Sequence, residues 1–555
     1  MSAAEPPPAM TPLGPWEQII PRNYIRILFI FPLTDSLNPV IRNEVKSHFR
    51  ASLDRLISAR PDYFYKLSHE EEPVSPFVTP CVSRYKPAQS RGERSQYSHK
   101  PTATPDNWDD NHTILQEEVW NGTHSASIHG ETGPLELKNE NESLGYKELE
   151  GKRFPQQDLM QGYRYFLCWD TEHFKEVRMD LGRFKLPVSW VKLHFIKDGL
   201  MVQLNTHHVT GAGEMQAQFY TAFAAATRGD PIRCVPSPSS FDLPRELKDL
   251  PQQLTGQSFR QLLSQCPEWM DLPMKNGPTQ PDKKSPTFGT EPQYTLACKI
   301  FRFDTQKLGQ LRNHIAALQP TRMDGSKQIP SVNSVVCALA FAHVVCARLS
   351  AERDDIAEAR RMGGKATLVM PVSFRSRPDF RESMKDYVGT AVCLSQVKTD
   401  LQLALLAAAQ EEYPALAKLV NTVEECVNQV DLNYVQIRTA CIQKANDPRR
   451  IGVSYHPDRP TDFQFNTWRQ FGGDLMFKLR SDSGRQERLN SGGNSKDSAA
   501  VKPAAVRRAM ESSHVGALVM PGGKDDPYEL LLTLPDKSMD MLMTNNTFMS
   551  YCEAI

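Results

Sequence analysis

Apolar residues recur with strand-like or helical spacing in several parts of the sequence, and long polar stretches separate them. The run Tyr24–Leu33 is apolar apart from Arg26 and is too short to span a membrane, so it predicts a buried strand. Asn38–Arg60 places apolar residues such as Ile41 and Val45 on one helical face, which predicts an amphipathic helix packed on a sheet.

The stretch Ser189–His207 has the alternation of a β-hairpin. Apolar residues alternate on both sides of a turn at Lys197–Gly199, and the second strand ends at His207, directly before His208. A turn of small residues follows, and Glu214–Thr227 then shows helical periodicity.

The second half of the chain has a similar mixture of patterns. The predicted elements are a helix over Ser331–Leu349, a strand over Ala366–Ser373, a helix over Leu401–Cys426, strand and turn over Phe463–Phe477, and closing strands over Val515–Met520 and Tyr528–Leu534. The predicted fold class is therefore α/β (α+β), with two halves that each contain a mixed β-sheet and flanking helices.

Three polar segments explain the low mean hydropathy of −0.48. Ser83–Phe154 is predicted to be a surface loop with a hairpin near Ile114–His129, Arg228–Pro292 a crossover, and Lys478–Ala500 a low-complexity insertion. The predicted division is an N-terminal domain, 1–228, with an insertion at about 83–154, a linker, 229–293, and a C-terminal domain, 294–555, with an insertion at about 478–500.

The charge balance excludes some classes of partner. Among 555 residues, 65 Lys and Arg match 65 Asp and Glu, so no basic excess favours nucleic acid or an acidic membrane. The N-terminal sequence lacks the pattern of a signal peptide, and the 11 cysteines form no CxxC pair, which favours reduced thiols. We expect a cytoplasmic monomer with no membrane span and no nucleic-acid partner.

The pair His207-His208, followed by Val-Thr-Gly-Ala-Gly213, is the most informative segment for chemistry. A neutral histidine at a strand end is suited to act as a general base near pH 7, and the alternative is a partly buried polar residue with a structural role. No metal-ligand spacing accompanies the pair, so no metal is predicted. The motifs of serine hydrolases, phosphate-binding loops and dinucleotide-binding folds are absent or incomplete.

The segment FIKDGLMVQLNTHH, with VTGAG and an Ala/Phe-rich helix after it, resembles the active-site segment of BAHD-type acyltransferases, especially the fungal, trichothecene 3-O-acetyltransferase-like branch. Six further segments resemble family motifs in the same order: Tyr24–Leu33 the opening strand, Ser331–Ser334 the S-x-N-D helix, Val372–Arg377 the D-x-R-x-R strand, Tyr387–Ala391 the Y-x-G-N-A turn, Asn466–Trp468 the T-S-W segment, and Val515–Leu534 the closing hairpin.

The resemblance implies two chloramphenicol-acetyltransferase-like domains with a channel between them. It implies an O-acyltransferase that uses acyl-CoA, such as acetyl-CoA, as co-substrate, has no permanently bound cofactor, and acylates a hydroxyl of a small hydrophobic secondary metabolite. His208, with His207 beside it, matches the family's catalytic base. Asn466, Thr467 and Trp468 match positions of acceptor-side and oxyanion contacts, with strand-end packing as the alternative.

The sequence also departs from the family. The motif Asp is replaced by Ala212 or Gly211, depending on which His is counted, before Gly213. The arginines that match the family's D-x-R-x-R strand, Arg375 and Arg377, would then lack a carboxylate partner unless Glu214 or Asp379 replaces it. The D-F-G-W-G motif is also degraded, with Asp474 as its only candidate remnant. A weakened or non-catalytic binding protein and a carrier-protein-dependent condensation enzyme therefore remain alternatives.

Overall fold

The computed structural model describes residues 11–12, 14–21, 24–64, 66–69, 80–83, 115–119, 145–160, 186–233, 242–272, 295–319, 328–351, 364–385, 387–409, 412–481, 499–509 and 515–555. Within these ranges the strands are β1 (Thr11–Pro12), β2 (Tyr24–Pro32), β3 (Lys66–His69), β4 (Pro80–Ser83), β5 (Leu115–Val119), β6 (Leu186–Pro187), β7 (Ser189–Ile196), β8 (Gly199–His207), β9 (Trp269–Asp271), β10 (Leu296–Phe303), β11 (Lys365–Ser373), β12 (Val392–Asp400), β13 (Ile451–Val453), β14 (Asp462–Thr467), β15 (Ala505–Arg508), β16 (Gly516–Val519), β17 (Glu529–Pro535) and β18 (Cys552–Ala554).

The α-helices in the same ranges are α1 (Pro15–Gln18), α2 (Pro39–Ala59), α3 (Tyr146–Gly151), α4 (Gln156–Met160), α5 (Gly213–Arg228), α6 (Arg245–Lys248), α7 (Gln252–Thr255), α8 (Phe259–Leu263), α9 (Thr305–Leu318), α10 (Val332–Ala351), α11 (Leu401–Ala407), α12 (Tyr413–Asn428), α13 (Leu432–Lys444), α14 (Asp536–Met543) and α15 (Asn546–Met549). Short 3-10 turns lie at Pro61–Phe64, His208–Thr210 and Pro448–Arg450.

The first large sheet has the strand order β15-β2-β8-β7-β5. β8 pairs antiparallel with both β2 and β7, as the alternating pattern predicted. The turn between β7 and β8 places Asp198 at φ 56°, in the left-handed region, which Asp tolerates better than most residues. α2 and α5 pack on the sheet. The two helices contact each other through the rings of Phe49 and Phe223, whose centroids are 5.7 Å apart. His207 therefore ends the central strand of this sheet.

β15 belongs to the first sheet although it comes from the second half of the chain. It pairs antiparallel with β2, and Val506 is buried in the first core. Lys478 and Leu479, at the described start of the predicted insertion, are anchored there too: Leu479 is buried, and Lys478 N donates to Thr227 Oγ1 at 3.1 Å. A boundary at residue 294 thus does not separate the two sheets, because the chain returns to the first one.

The second large sheet has the order β12-β11-β14-β16-β17-β10-β18, with parallel pairs at β11–β14 and β14–β16. Among the described residues, α10 has the length and apolar composition of a membrane span, but 83% of its apolar window is buried in the second core. The helix predicted over Leu401–Cys426 is divided into α11 and α12, because Pro414 begins a new helix in the first turn of α12. Two smaller sheets have the orders β1-β4-β3-β6 and β13-β9.

The segment 229–293, predicted as a linker, is folded where the structure describes it. Residues 242–272 form α6, α7, α8 and β9, and apolar side chains such as Leu247 are buried in the second core. Glu268 is fully buried and binds Arg438 of α13 through two contacts of 2.8 and 2.9 Å. The linker prediction was wrong for this part, because helices of four or five residues are too short to show a periodic pattern.

The predicted surface loop 83–154 also contains ordered elements. β5 pairs parallel with β7 and lies where the alternation predicted a strand, whereas the remainder of the predicted hairpin lies outside the described residues. In α3, Tyr146 and Leu149 are buried in a small core with Phe154. This part of the polar segment therefore belongs to the first half's packed structure.

Candidate functional site

The two histidines lie where the central strand of the first sheet leads into a helix. His207 pairs with Tyr24 across β2 and β8, the 3-10 turn His208–Thr210 follows, and α5 begins at Gly213. The hydroxyl of Thr210 donates to the carbonyl of His207 at 2.8 Å and stabilises the turn. The local fold thus fixes the backbone on both sides of His208.

His207 has the environment of a structural residue. Its side chain is fully buried, and its Nδ1 accepts a hydrogen bond from Val209 N at 3.3 Å, which caps the 3-10 turn. The ring packs edge-on against Tyr24 at 5.0 Å between centroids. Because Nδ1 accepts this hydrogen bond, Nδ1 itself carries no proton.

His208 has the environment of a neutral base. The residue is partly buried overall, but its Nδ1 is buried and has no hydrogen-bond partner among the described residues. Burial lowers the pKa of His208 to about 4, so the imidazole is neutral at pH 7. A neutral imidazole can accept a proton, which is the property that a general base requires.

Gly213 marks a close contact between the two halves. A Cβ atom at this position would overlap the ring of Phe471, which follows β14 in the second half. Any residue larger than glycine here would require the ring of Phe471 to move, whereas the backbone conformation alone would accept other residues. The start of α5 is fixed directly against the second half.

Glu214 supplies the carboxylate that the motif lacks. Its Oε2 lies 2.6 Å from Arg375 Nε, and its Oε1 accepts a hydrogen bond from Ser373 Oγ at 2.5 Å. Arg375 also donates to the carbonyl oxygens of Met384, at 3.0 Å, Tyr387, and Gly389, at 2.9 Å. The expected loss of a partner for Arg375 therefore does not occur, because a carboxylate in the first turn of α5 takes that role.

A cavity of about 350 Å³ lies on the second-half side of this contact. It is bounded by the ends of β11 and β14, the start of α10 and the end of α12, and its lining includes Asn333, Ser373, Ser376, Arg377, Asn466 and Thr467. Arg377 donates to the carbonyl of Val427 at 2.5 Å, whereas the buried Asn333 Oδ1 has no partner among the described residues. In the described part of the chain, no group of three or more His, Cys, Asp or Glu side chains could hold a metal ion.

Comparison with solved structures decides the fold. F. graminearum TRI101, complexed with coenzyme A and T-2 mycotoxin, aligns with a TM-score of 0.66 and 14% identity over 98% of this chain and 99% of that chain. The chain has the fold of BAHD-type acyltransferases. TRI3 trichothecene 15-O-acetyltransferase from Fusarium sporotrichioides aligns with a TM-score of 0.55 and 9% identity over 99% of each chain. Vinorine synthase aligns with a TM-score of 0.53 and 15% identity over 100% of this chain and 95% of that chain.

The sequence of this chain resembles known proteins less than its fold does. No protein-family model matches it, and no curated protein matches it significantly. The motif resemblance therefore predicted the BAHD fold where comparison of whole sequences finds no relative.

In this BAHD fold, Asn466 and Thr467 end β14 and line the cavity. Asn466 Oδ1 accepts a hydrogen bond from Thr467 N at 2.7 Å, and Thr467 Oγ1 accepts one from Arg469 N at 3.3 Å. These bonds fix the orientation of both side chains, including their donor groups. Both residues line the cavity wall.

Trp468 takes a packing position. It is buried in an apolar cluster that includes Ile25 and Met520, and its ring stacks on Phe471 at 6.1 Å. Because Phe471 also covers Gly213, Trp468 supports the junction between the halves. Its described contacts fit the packing alternative that the sequence left open for this residue.

Asp474 lies at the protein surface and does not replace the D-F-G-W-G motif. Its side chain is 63% exposed and pairs with Lys502 at 3.0 Å, and it also accepts a hydrogen bond from Lys524 N at 2.9 Å. The turn after Phe471 directs the carboxylate to solvent, where the ammonium group of Lys502 pairs with it and the backbone amide of Lys524 donates to it. The predicted role of Asp474 is therefore corrected to that of a surface ion pair.

Several residues of the junction were not predicted from the sequence. Ser373 lies within the matched segment Val372–Arg377, Phe471 follows the segment Asn466–Trp468, and Glu17 lies in the Pro-rich N-terminal segment. Each acquires its role only through contacts across more than a hundred residues. Glu214 was one of the two carboxylates, with Asp379, that the sequence offered as a replacement partner for the arginines.

Proposed function

We propose that this protein is a CoA-dependent O-acyltransferase in which His208 is the general base. The observation that supports this most directly is a partly buried, neutral imidazole on the turn that leads into α5, whose first turn is held to the second half by the Glu214–Arg375 ion pair. Because Glu214 supplies a carboxylate to Arg375, the missing motif Asp no longer argues against activity.

The chemistry needs a base because an alcohol hydroxyl is a weak acid at neutral pH. His208 accepts the hydroxyl proton while the alcohol oxygen forms a bond to the thioester carbonyl carbon. The tetrahedral oxyanion then collapses, the carbon–sulfur bond breaks, and the proton on His208 passes to the CoA thiolate. The products are the ester and free CoA, and the imidazole returns to its neutral form.

The cavity is the proposed site for the reactive end of the acyl-CoA. α10 directs its N-terminus toward the cavity, and Arg377 adds a cation, so both favour anionic or carbonyl groups there. Asn466 and Thr467 at the wall are candidates for hydrogen bonds to the developing oxyanion, each worth about 3 kcal/mol when well aligned. A TRI101 structure complexed with ethyl coenzyme A has the same fold, with a TM-score of 0.61 and 15% identity.

The proposed acceptor is a hydroxyl group of a hydrophobic secondary metabolite. TRI101 structures are complexed with T-2 mycotoxin and with deoxynivalenol, and both share the fold of this chain. We place the reaction in the cytosol, in a monomer, with acyl-CoA as co-substrate and no permanent cofactor.

The test is turnover of the purified protein with acetyl-CoA and a panel of sesquiterpene and polyketide alcohols, followed by free CoA. Wild type should release CoA only when a suitable acceptor is present. His208→Ala should lower the rate by about 10²–10⁴-fold. His343→Leu is the matched control, because burial also lowers the pKa of His343 to about 4, but this residue lies in α10 against Phe548. A wild-type protein that is silent with every donor and acceptor would contradict the proposal.

A further inference from the structure

The N-terminal segment of the chain is inserted into the second half. Trp16 of α1 is fully buried in the second core, its indole N–H donates to Thr439 Oγ1 at 3.1 Å, and its ring meets Phe374 at 5.4 Å. α1 also packs against the 3-10 turn that carries His208. This short helix therefore touches both sides of the proposed active site.

Glu17, the next residue, is a buried carboxyl group with an unusual environment. It is 2% exposed, and its Oε1 accepts hydrogen bonds from Thr390 N and from the Tyr387 hydroxyl, the latter at 3.4 Å. Its Oε2 is buried and has no partner among the described residues. Burial raises the pKa of Glu17. A buried, half-satisfied polar group costs stability and requires an explanation.

The Tyr387–Thr390 turn lies between Glu17 and Arg375. Arg375 donates to the carbonyls of Tyr387 and Gly389 from one side, and Glu17 accepts the amide of Thr390 from the other. The turn packs closely against Glu17 at Gly389, because a Cβ atom at that position would overlap the Tyr387 hydroxyl and lie 2.7 Å from Glu17 Oε1. A shift of the turn must therefore move Arg375.

Arg375 in turn holds the first turn of α5 through Glu214 at 2.6 Å. The contacts form an unbroken series from Glu17 through the turn and Arg375 to the helix that follows His208. We propose that Glu17 is a positioning residue for the acyl transfer, which fixes the Tyr387–Thr390 turn and, through Arg375 and Glu214, the loop that carries His208. This inference rests on the proposed function of His208.

Two substitutions separate the hydrogen bond from the volume of the side chain. Glu17→Gln keeps a side-chain oxygen that can accept the hydrogen bond from Thr390 N, and its kcat should stay within about twofold of wild type. Glu17→Met has a similar length but no acceptor, and its kcat should fall by about tenfold or more while the KM values stay within about twofold. Rescue by Gln is not expected if the residue only fills space.

Trp16→Phe is the matched control, since it removes the bond to Thr439 but keeps an aromatic ring in the core and leaves the carboxyl group of Glu17 unchanged. At a comparable loss of thermal stability, Trp16→Phe should keep its kcat within about twofold. The inference is overturned if Glu17→Met retains wild-type kcat, or if Trp16→Phe loses as much kcat as Glu17→Met. If Glu17→Met does not fold, Glu17→Asp, which withdraws the carboxyl from Thr390, takes its place with the same expected direction.

Amide hydrogen exchange provides a readout that does not depend on turnover. Peptides over 387–391 and 208–215 should both exchange faster in Glu17→Met than in Glu17→Gln, whereas Trp16→Phe should not loosen 208–215 to the same extent. If wild type is inactive but these peptides respond together, the proposed function fails and the coupling stands. If 208–215 does not respond, the coupling is wrong whatever the activity.

Discussion

Glu214 Oε2 lies 2.6 Å from Arg375 Nε, so a carboxylate in the first turn of α5 connects the loop that carries His208 to the second half. The side chains are 31% and 15% exposed, and Arg375 keeps three further bonds to backbone carbonyls. The ion pair is therefore partly shielded from solvent, and its main effect is to fix geometry. The position of the family's Asp, Ala212, is buried and carries no charge.

We expect that a carboxylate at position 212 can partly replace the one at position 214. Glu214→Ala should reduce kcat by about tenfold or more and stability by about 1–2 kcal/mol, because Arg375 loses its charged partner. Ala212→Asp alone should not raise activity, since Arg375 is already paired and a second buried carboxylate is costly. Steady-state kinetics of the double variant Ala212→Asp/Glu214→Ala should show partial recovery over Glu214→Ala. If the double variant is no better than Glu214→Ala, the two carboxylates are not equivalent.

The two histidines should separate activity from stability. His208→Ala should abolish most of the turnover with little loss of stability, because the buried Nδ1 has no partner among the described residues. His207→Ala should be milder in activity but should lower the free energy of unfolding by about 1–3 kcal/mol, because it removes the cap on Val209 N and the contact with Tyr24. Urea unfolding and initial rates on the same preparations provide the comparison. Reversed effects on activity would mean that His207 is the base.

Acid should destabilise the protein in a defined window. Burial lowers the pKa of His343 to about 4 from 6.5, so between these values the unfolded chain binds a proton that the folded chain does not, and stability falls as the pH falls. His343→Leu removes this contribution, which amounts to about 2 kcal/mol at pH 5. Urea unfolding at pH 7 and pH 5 should therefore show a smaller loss for the variant than for wild type. Equal losses would mean that His343 is not buried in its neutral form.

The contact at Gly213 should tolerate no side chain. Gly213→Ala would place a methyl group in the ring of Phe471, so either α5 or the loop after Trp468 must move, and both activity and melting temperature should fall. Gly309→Ala is the control, because a Cβ at that position in α9 meets no atom within 4 Å. The control should be neutral or stabilise by about 0.5–1 kcal/mol. A Gly213→Ala variant with unchanged activity would contradict the described junction.

Long periodic segments of the fold could be predicted from the sequence. The hairpin that ends at His207, the helix α5 and the apolar helix α10 were predicted because each has enough residues for its period to appear. The short helices between 242 and 272 were missed because each has at most five residues and is stabilised by tertiary burial.

The site could be predicted only in part. The motif predicts His208 as the candidate base, and the sequence offers Glu214, with Asp379, as a carboxylate partner for Arg375. Glu17, Phe471 and the contribution of β15 to the first sheet depend on contacts between distant parts of the chain, and no local pattern encodes such contacts. Asp474 was misplaced because its distance from Trp468 in sequence says nothing about the direction of its side chain.

The most direct test of the central claim is the stoichiometry of ester and CoA. Purified wild type is incubated with acetyl-CoA, with and without an acceptor alcohol that supports turnover, and both products are quantified. If His208 is the base of an acyl transfer from acetyl-CoA, acetyl ester and free CoA form in equal amounts, depend on the acceptor, and are almost absent in His208→Ala. Release of CoA without ester, or equal ester formation by His208→Ala, would contradict it.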